Sequence, residues 1–323
     1  MWPIIISSTI FIISLVLIFS EKLNRTITAM IGAVCMVVFG MLFHFYGEDQ
    51  AAATIDFNTL GLLLGMMIIV SLLEPTGFFQ FLAVKVGKVS GGDPAKLLVL
   101  LGAITTLVSM FLDNVTTVVL IAPVTILICE ILGLNSQPYL MAEALLSNTG
   151  GVATLVGDPP NILIGSATGF TFLDFLTHSL PIVIFVWFTA LAILFFLFRK
   201  ELAQKPSDLE ALAELNAKDA LKDSRSAKKV IVVIFVMIVL FLLEEFLEIR
   251  PALIALGGCA VALVWTRPAI QETLKRVQWD VLIFFGALFI MIGGMQAAGV
   301  FDALVNLAVH LKTLPTVVLG LIL

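Results

Sequence analysis

Long apolar segments separated by short polar loops dominate the chain, and they predict its helices. Such segments cover residues 3–20, 27–46, 57–73, 171–198, 230–243, 251–265 and 281–295. The longer ones reach or exceed about 17 residues, the shortest length at which an α-helix crosses the hydrocarbon layer of a bilayer. The pattern therefore predicts an all-α, polytopic membrane protein.

Two further apolar segments, residues 97–132 and 139–169, are each interrupted by a polar cluster. The first is broken at Asp113, and the second between Asn148 and Asn161. Non-helical backbone at membrane depth persists only where protein or water satisfies its polar groups. Paired broken helices of this kind mark the ion and substrate sites of secondary transporters. The two breaks therefore predict a transport site.

Residues 97–132 are compatible with two topologies, because residues 97–112 would extend only about 24 Å as a helix. They could form two complete crossings, or a re-entrant hairpin with Asp113 at its buried tip. Lysines and arginines in the preceding loops place residue 97 on the cytoplasmic side of the membrane. Both topologies then return the chain to the cytoplasm at Arg199. Only the hairpin places Asp113 at membrane depth, where a carboxylate marks a functional site. We therefore predict the hairpin rather than two crossings.

The chain also contains an internal repeat, since residues 57–79 resemble residues 279–301 without a gap. The predicted topology orients the two copies oppositely, as in inverted-repeat transporters. The apolar run 315–323 should open a second hairpin, so we interpret the second repeat as truncated and the chain as a fragment. The predicted divisions are a first helix and loop (1–26), repeat 1 with hairpin, broken helix and return helix (27–198), a cytoplasmic linker (199–229), and a helix with an incomplete repeat 2 (230–323).

Composition narrows the function classes. Hydrophobic residues make up 60% of the chain and charged residues 13%, so we expect the lipid bilayer, and no nucleic acid, as a partner. Cys35, Cys129 and Cys259 lie in apolar runs without metal-ligand spacing. No Ser/His/Asp, Cys/His or His-x-x-x-His arrangement falls at membrane depth. We therefore predict neither an enzyme nor a resident cofactor, apart from a coupling Na⁺ or H⁺.

Two motifs carry a family resemblance: LDNVTT at residues 112–117, and Gly150-Gly151 followed by GDPPN at residues 157–161. Their order resembles the arsenite permease and pigmentation P protein family of the ion transporter superfamily. That group is citrate-transporter-like and related to the divalent anion/sodium symporters. The resemblance is close over residues 109–161 and looser over residues 27–323.

The resemblance implies that the hairpin tip and the following break bind the coupling ion and the substrate. The symporter branch has Ser-Asn-Thr at the tip, whereas this chain has Asp113-Asn114-Val115, which departs from the dicarboxylate pattern. A sodium ion is expected at Asp113, Asn114 and Asn148. Carried over residue by residue, the predicted site comprises Asp113, Asn114, Thr116 and Thr117 at the tip, and Asn148, Thr149, Gly150, Gly151, Asp158 and Asn161 at the break.

The residue types suit this role independently of kinship. Asp113 offers a negative charge to a cation or a proton, and the neighbouring amides and hydroxyls offer neutral ligands. The glycines at the break would let backbone approach a ligand. Structural alternatives remain for three residues: Asp113 could pair within the bundle, Asp158 could cap a helix, and Asn148 could join two helices.

We therefore predict a secondary active transporter that moves a small anion, arsenite-type or carboxylate, with H⁺ or Na⁺ by alternating access. The alternatives are a sodium/proton antiporter, an anion channel-like conductor, and a non-transporting fragment or scaffold. We expect a multi-pass protein of a prokaryotic plasma membrane, with residues 199–229 in the cytoplasm. A homodimer is one expected assembly.

Overall fold

The computed structural model describes residues 2–310, and the run 315–323, predicted to open a second hairpin, lies outside them. The described chain is α-helical, with one 3₁₀ turn at Glu74–Thr76. Its helices are α1 (Trp2–Phe19), α2 (Arg25–Leu42), α3 (Glu48–Thr54), α4 (Phe57–Leu73), α5 (Phe78–Ser90), α6 (Pro94–Ser109), α7 (Asn114–Leu132), α8 (Gln137–Gly151), α9 (Pro159–Thr168), α10 (Phe172–Leu197), α11 (Leu209–Glu214), α12 (Ala217–Ala220), α13 (Ser224–Leu242), α14 (Glu244–Leu247), α15 (Pro251–Thr266), α16 (Ile270–Lys275), α17 (Trp279–Ala297) and α18 (Val300–His310).

Six helices within residues 2–310 are long and apolar enough to cross a membrane: α1, α2, α4 with the turn after it, α7, α10 and α17. The surface of α10 agrees with a lipid environment, because Ile182, Phe185, Phe188 and Phe196 are each more than 60% exposed. Exposed apolar side chains in such a group would promote aggregation in water. The prediction of an all-α, polytopic membrane protein is confirmed.

The described chain divides into two compact units. The first comprises residues 2–60 and the described residues from Gln278 onward. In it α2 packs against α1 and α17, and a methyl group at Gly32 would lie 2.5 Å from the Met291 sulfur. The Thr26 hydroxyl also donates to the Asp280 carbonyl at 3.1 Å. The predicted division into two inverted repeats stays a prediction.

The second unit, Gly61–Val277, is built around α6, α7 and α8. Residues 110–113 join α6 to α7 in a helical hairpin, and the predicted re-entry of this hairpin into the membrane stays a prediction. The Tyr139 hydroxyl bonds to the Pro94 carbonyl near the start of both α6 and α8, and Ser109 bonds to Ser147 near their ends. This order shows that α6 and α8 run in the same direction. The apolar core that α6, α7 and α8 share includes Leu97, Leu98, Leu101, Ile128, Tyr139, Ala142 and Leu146.

The linker predicted at residues 199–229 contains the short helices α11 and α12 and is attached to the second unit. Leu212 is only 3% exposed and belongs to the apolar core of the hairpin. The Ser207 N–H donates to the Leu132 carbonyl at 2.9 Å, and the Lys88 ammonium donates to the Leu215 carbonyl at 2.8 Å. The linker therefore packs on the ends of α5 and α7 as well as connecting helices.

Candidate functional site

The hairpin formed by α6 and α7 is bonded to α8 close to its tip. The Ser109 hydroxyl, at the end of α6, donates to the Ser147 carbonyl of α8 at 2.7 Å. The Thr106 hydroxyl lies 3.2 Å from the Leu146 carbonyl and accepts the indole N–H of Trp187 at 3.0 Å. These side-chain bonds hold the tip of the hairpin beside the end of α8.

Asp113 is the N-cap of α7 and lies at the hairpin tip. Its carboxylate accepts the N–H of Thr116 at 2.9 Å, and its carbonyl accepts the buried hydroxyl of Thr117 at 2.9 Å. The positive end of α7 stabilises negative charge at this position. Asp113 therefore has a capping role in addition to the ion-binding role predicted for it, and Thr117 directs its hydroxyl at its own helix.

Residues 152–158 separate α8 from α9, and side-chain hydrogen bonds hold this break to the hairpin tip. The Asn161 amide, only 7% exposed, donates to the carbonyls of Gly151 at 2.8 Å and Thr154 at 2.9 Å. The Thr154 hydroxyl donates to the Met110 carbonyl of the tip. Because broken backbone in a membrane needs partners for its polar groups, Asn161 and Thr154 make the break possible.

A side-chain hydrogen bond also joins the two predicted halves of the site. The Asn114 amide donates to the Asn148 oxygen, and the Asn148 amide donates to the Ala144 carbonyl at 2.8 Å. The Asn114 oxygen accepts the N–H of Val115 at 2.9 Å. Each amide oxygen therefore keeps one lone pair for an ion. The sodium ion predicted at Asp113, Asn114 and Asn148 would use these amide lone pairs together with the Asp113 carboxylate, and its site stays a prediction.

Asp158 is the N-cap of α9, yet its carboxylate makes no capping hydrogen bond. The reason is local, because Pro159 and Pro160 have no N–H to donate and the next N–H, that of Asn161, donates to the Asp158 backbone carbonyl at 3.0 Å. Gly157, next to this half-buried carboxylate, packs against the Ser109 carbonyl near the hairpin tip, so Asp158 and Asp113 lie at the same junction of tip and break. The fold thus brings the two predicted acids together and leaves Asp158 without a capping partner.

The charge of this region is one-sided, because the sequence has no lysine or arginine between Lys96 and Arg199. Within residues 2–310, no group of three or more His, Cys, Asp or Glu side chains has a metal-binding arrangement. A pair of carboxylates with amide oxygens suits a monovalent cation or a proton. The acids of the stretch are Asp113, Glu130, Glu143, Asp158 and Asp174, and its histidine is His178.

The glycines of the break approach protein backbone. A methyl group at Gly150 would lie 2.9 Å from the Thr106 Cα, and one at Gly157 would lie 3.0 Å from both the Gly151 Cα and the Ser109 carbonyl oxygen. Cβ atoms essentially never lie closer than 3.0 Å to another atom, and a Cβ at 3.0–3.4 Å requires its neighbour to move. At these glycines the backbone therefore closely approaches the backbone of the hairpin and of the break, whereas the sequence predicted an approach to a ligand.

Replacing Gly150 with alanine is expected to destabilise the second unit by about 1–3 kcal/mol, because the backbone of α6 must move to admit the methyl group. The matched control is Gly257→Ala in α15, where an added Cβ meets no atom within 4 Å. Thermal unfolding in detergent measures both. Equal melting temperatures for the two variants would contradict the close packing of α6 on α8.

Several residues have structural partners that the sequence did not indicate. Thr149, one of the predicted site residues, donates its hydroxyl to the Leu145 carbonyl of its own helix at 2.9 Å. Ser109 and Thr154 were not among the predicted residues, although each is a polar side chain inside a broken apolar segment. That position alone could have selected them, since such groups need partners. The hydrogen bond from Trp187 to the hairpin depends on tertiary packing, and no pattern in the sequence indicates it.

A hairpin whose tip is bonded to a broken neighbouring helix, in an all-α membrane protein, is the architecture of a polytopic membrane transporter. The chain belongs to the citrate transporter family, whose family model (CitMHS, citrate transporter) matches residues 15–323. It is therefore an integral, multi-pass membrane transporter and not an enzyme.

Named relatives agree with this family. The chain is 41% identical over 303 residues to a 46 kDa membrane protein of Mycobacterium leprae, covering 93% of this chain and 70% of the relative. It is 39% identical over 310 residues to an uncharacterised transporter of Mycobacterium tuberculosis, covering 95% and 71%. The P protein of Sus scrofa is 38% identical over 205 residues, covering 61% of this chain and 24% of that protein. The resemblance inferred from the two motifs is confirmed.

Proposed function

We propose that the chain moves a small anion of the carboxylate class together with H⁺ or Na⁺. The observation that carries this proposal is that Asp113 and Asp158 are the N-cap residues of α7 and α9 where the hairpin tip meets the break, in a stretch of sequence without lysine or arginine. An anion is repelled by two carboxylates until bound H⁺ or Na⁺ ions reduce their charge. Binding of the cation before the anion would couple the two movements.

The helix ends at the site support an anionic substrate once the cation is bound. Helices α7 and α9 begin at Asp113 and Asp158, so the positive ends of both helix dipoles lie at this place. Helix N-termini bind carboxylates and other anions. Membership of the citrate transporter family makes a carboxylate the first substrate to test, and an arsenite-type oxyanion the second.

Alternating access is the proposed mechanism, and few bonds would have to break for it. The side-chain hydrogen bonds at this junction are Asn114 to Asn148, Ser109 to the Ser147 carbonyl and Thr154 to the Met110 carbonyl. Separation of the hairpin tip from α8 and the break would remove these three bonds and open the site. Ion and substrate binding would favour the joined state, because the ligands contact both sides of that junction.

Uptake of labelled citrate into vesicles containing the purified full-length protein is expected to depend on an inward H⁺ or Na⁺ gradient. Each gradient is imposed separately and then collapsed with an ionophore, and vesicles without protein provide the background. Gradient-driven accumulation above equilibrium supports coupled transport. Equal uptake with both gradients collapsed would contradict coupling and indicate an anion conductor.

A sodium/proton antiporter is a second candidate, because two adjacent acids can exchange a sodium ion for protons without any anion. The same vesicles distinguish the two functions. An antiporter would move sodium ions in response to a pH gradient in the absence of carboxylate and oxyanion. The proposed symporter would show ion movement that requires the anion.

A further inference from the structure

Glu143 lies in α8 outside the candidate site, and its side chain is completely buried. Its exposed fraction is 0%. One carboxyl oxygen is 2.5 Å from the Thr125 hydroxyl of α7, and the other has no hydrogen-bond partner among the described residues. An unpartnered carboxyl oxygen in the interior of a protein is unusual, so the protonation state of this group requires an explanation.

No positive charge faces this carboxyl from the helices that pack on α8, which are α6, α7 and α10. The buried thiol of Cys129 in α7 lies one helical turn from Thr125, the hydrogen-bond partner of Glu143. The only cationic side chain of α6 is Lys96, which is exposed. The remaining titratable groups of these four helices are Glu130 of α7, Tyr139 of α8, and Asp174 and His178 of α10.

An ionised carboxylate in this environment would be an uncompensated buried charge, which costs many times more free energy than a buried neutral acid. The neutral carboxylic acid fits the surroundings better. Its hydroxyl can share a hydrogen bond with Thr125, and an acid needs fewer partners than a carboxylate. The geometry therefore favours a bound proton on Glu143 in the conformation described here.

We propose that Glu143 is a proton-binding site of the transporter and carries the proton that couples to transport. This inference rests on the proposed function, in which the coupling ion is H⁺ or Na⁺, and it assigns H⁺ as a coupling ion. The Glu143 O–H bond breaks when α8 and the hairpin separate enough to admit water. The proton then passes to a water molecule, and the electron pair stays on the carboxylate.

Glu143 is connected to the candidate site through α8 and through the hairpin. Ser147 follows it by one helical turn, and the Ser147 carbonyl accepts the Ser109 hydroxyl near the hairpin tip. Two side-chain bonds join α7 to α8, one from Thr125 to Glu143 and one from Asn114 to Asn148. A change of charge at Glu143 would therefore alter the same helix interface that holds the ion-binding residues.

Infrared difference spectroscopy tests the bound proton directly, without any requirement for transport. Wild-type protein is expected to show the carbonyl stretching band of a protonated carboxylic acid at neutral pH. Glu143→Gln should lack this band, whereas Glu130→Gln, which changes an exposed acid of α7, should retain it. Thr125→Val should shift the band to higher frequency, because a hydrogen bond is lost. A spectrum in which Glu143→Gln removes no acid band would overturn the proposal.

Citrate uptake driven by a pH gradient tests the coupling role. Glu143→Gln is expected to lose the stimulation by the pH gradient, with a melting temperature close to that of the wild type, while Glu130→Gln keeps it. Unchanged pH-driven uptake in Glu143→Gln would overturn the coupling role and leave the proposed function standing. If wild-type protein showed the acid band but moved no anion under any gradient, the proposed function would fail and, with it, the coupling role.

Discussion

Replacing Asp113 with asparagine is expected to abolish ion-coupled transport in a protein that still folds and inserts. The substitution removes the negative charge that a cation needs, and it preserves side-chain volume. It also preserves the cap of α7, because an asparagine oxygen can accept the Thr116 N–H that the carboxylate accepts now. The measurement is citrate flux against pH and sodium concentration, normalised to inserted protein.

Three further variants separate the charge of Asp113 from its capping role. Asp93 is the N-cap of α6 with the same geometry, accepting the Lys96 N–H at 2.8 Å, so Asp93→Asn should transport normally. Asp113→Ala loses both charge and cap and should also unfold more easily, by about 0.5–2 kcal/mol. Asp113→Glu should retain partial flux with a shifted pH optimum. Wild-type flux and pH dependence in Asp113→Asn would remove Asp113 from the mechanism.

The sequence predicts the class of the protein and the location of the interruptions well, because both depend on local composition. A polar pair within an apolar run is visible without any tertiary information, and α6 ends four residues before Asp113 while α7 begins immediately after it. Proline explains the start of α9 in the same local way. The sequence predicts that Asp158 lies at a helix start. It does not predict that the Asp158 carboxylate makes no capping hydrogen bond, which is known only from the structure.

The roles of the glycines could not be predicted in the same way. Glycine indicates that backbone comes close to something, but the sequence does not specify what. Gly150 and Gly157 were assigned to ligand approach, whereas a side chain there would meet the backbone of Thr106 and of Ser109. That distinction depends on how α6 packs along α8, which is a contact between residues more than 40 positions apart in the sequence.

Glu143 illustrates a signal that was available and was not used. A glutamate inside an apolar segment is a functional candidate by its depth alone, and Glu143 lies between Tyr139 and Ser147 in the predicted broken helix. The identity of its partner, Thr125, could not be predicted because it depends on the rotation of α7 about its axis. The position of Glu143 within an apolar segment can be read from the sequence, whereas its hydrogen bond to Thr125 is known only from the packing of α7 on α8.

Asn161→Asp is expected to unfold the break between α8 and α9 and to eliminate transport at the same time. The Asn161 amide donates to the Gly151 and Thr154 carbonyls from a position that is only 7% exposed. The carboxylate would replace both donors with acceptors and would place a charge against two carbonyl oxygens. Two buried carbonyls without partners cost about 1–3 kcal/mol each, and the repulsion adds to that cost.

The matched control for this substitution is Asn135→Asp, which makes the same chemical change at an exposed turn. The Asn135 side-chain oxygen accepts the Gln137 N–H at 3.1 Å, and an aspartate oxygen can accept the same bond. Thermal unfolding and citrate flux should therefore be close to wild type in Asn135→Asp, and both should be lost in Asn161→Asp. If Asn161→Asp kept its melting temperature and lost only flux, Asn161 would be a ligand of the transported ion or substrate. In that case its two hydrogen bonds to the break would contribute little to the fold.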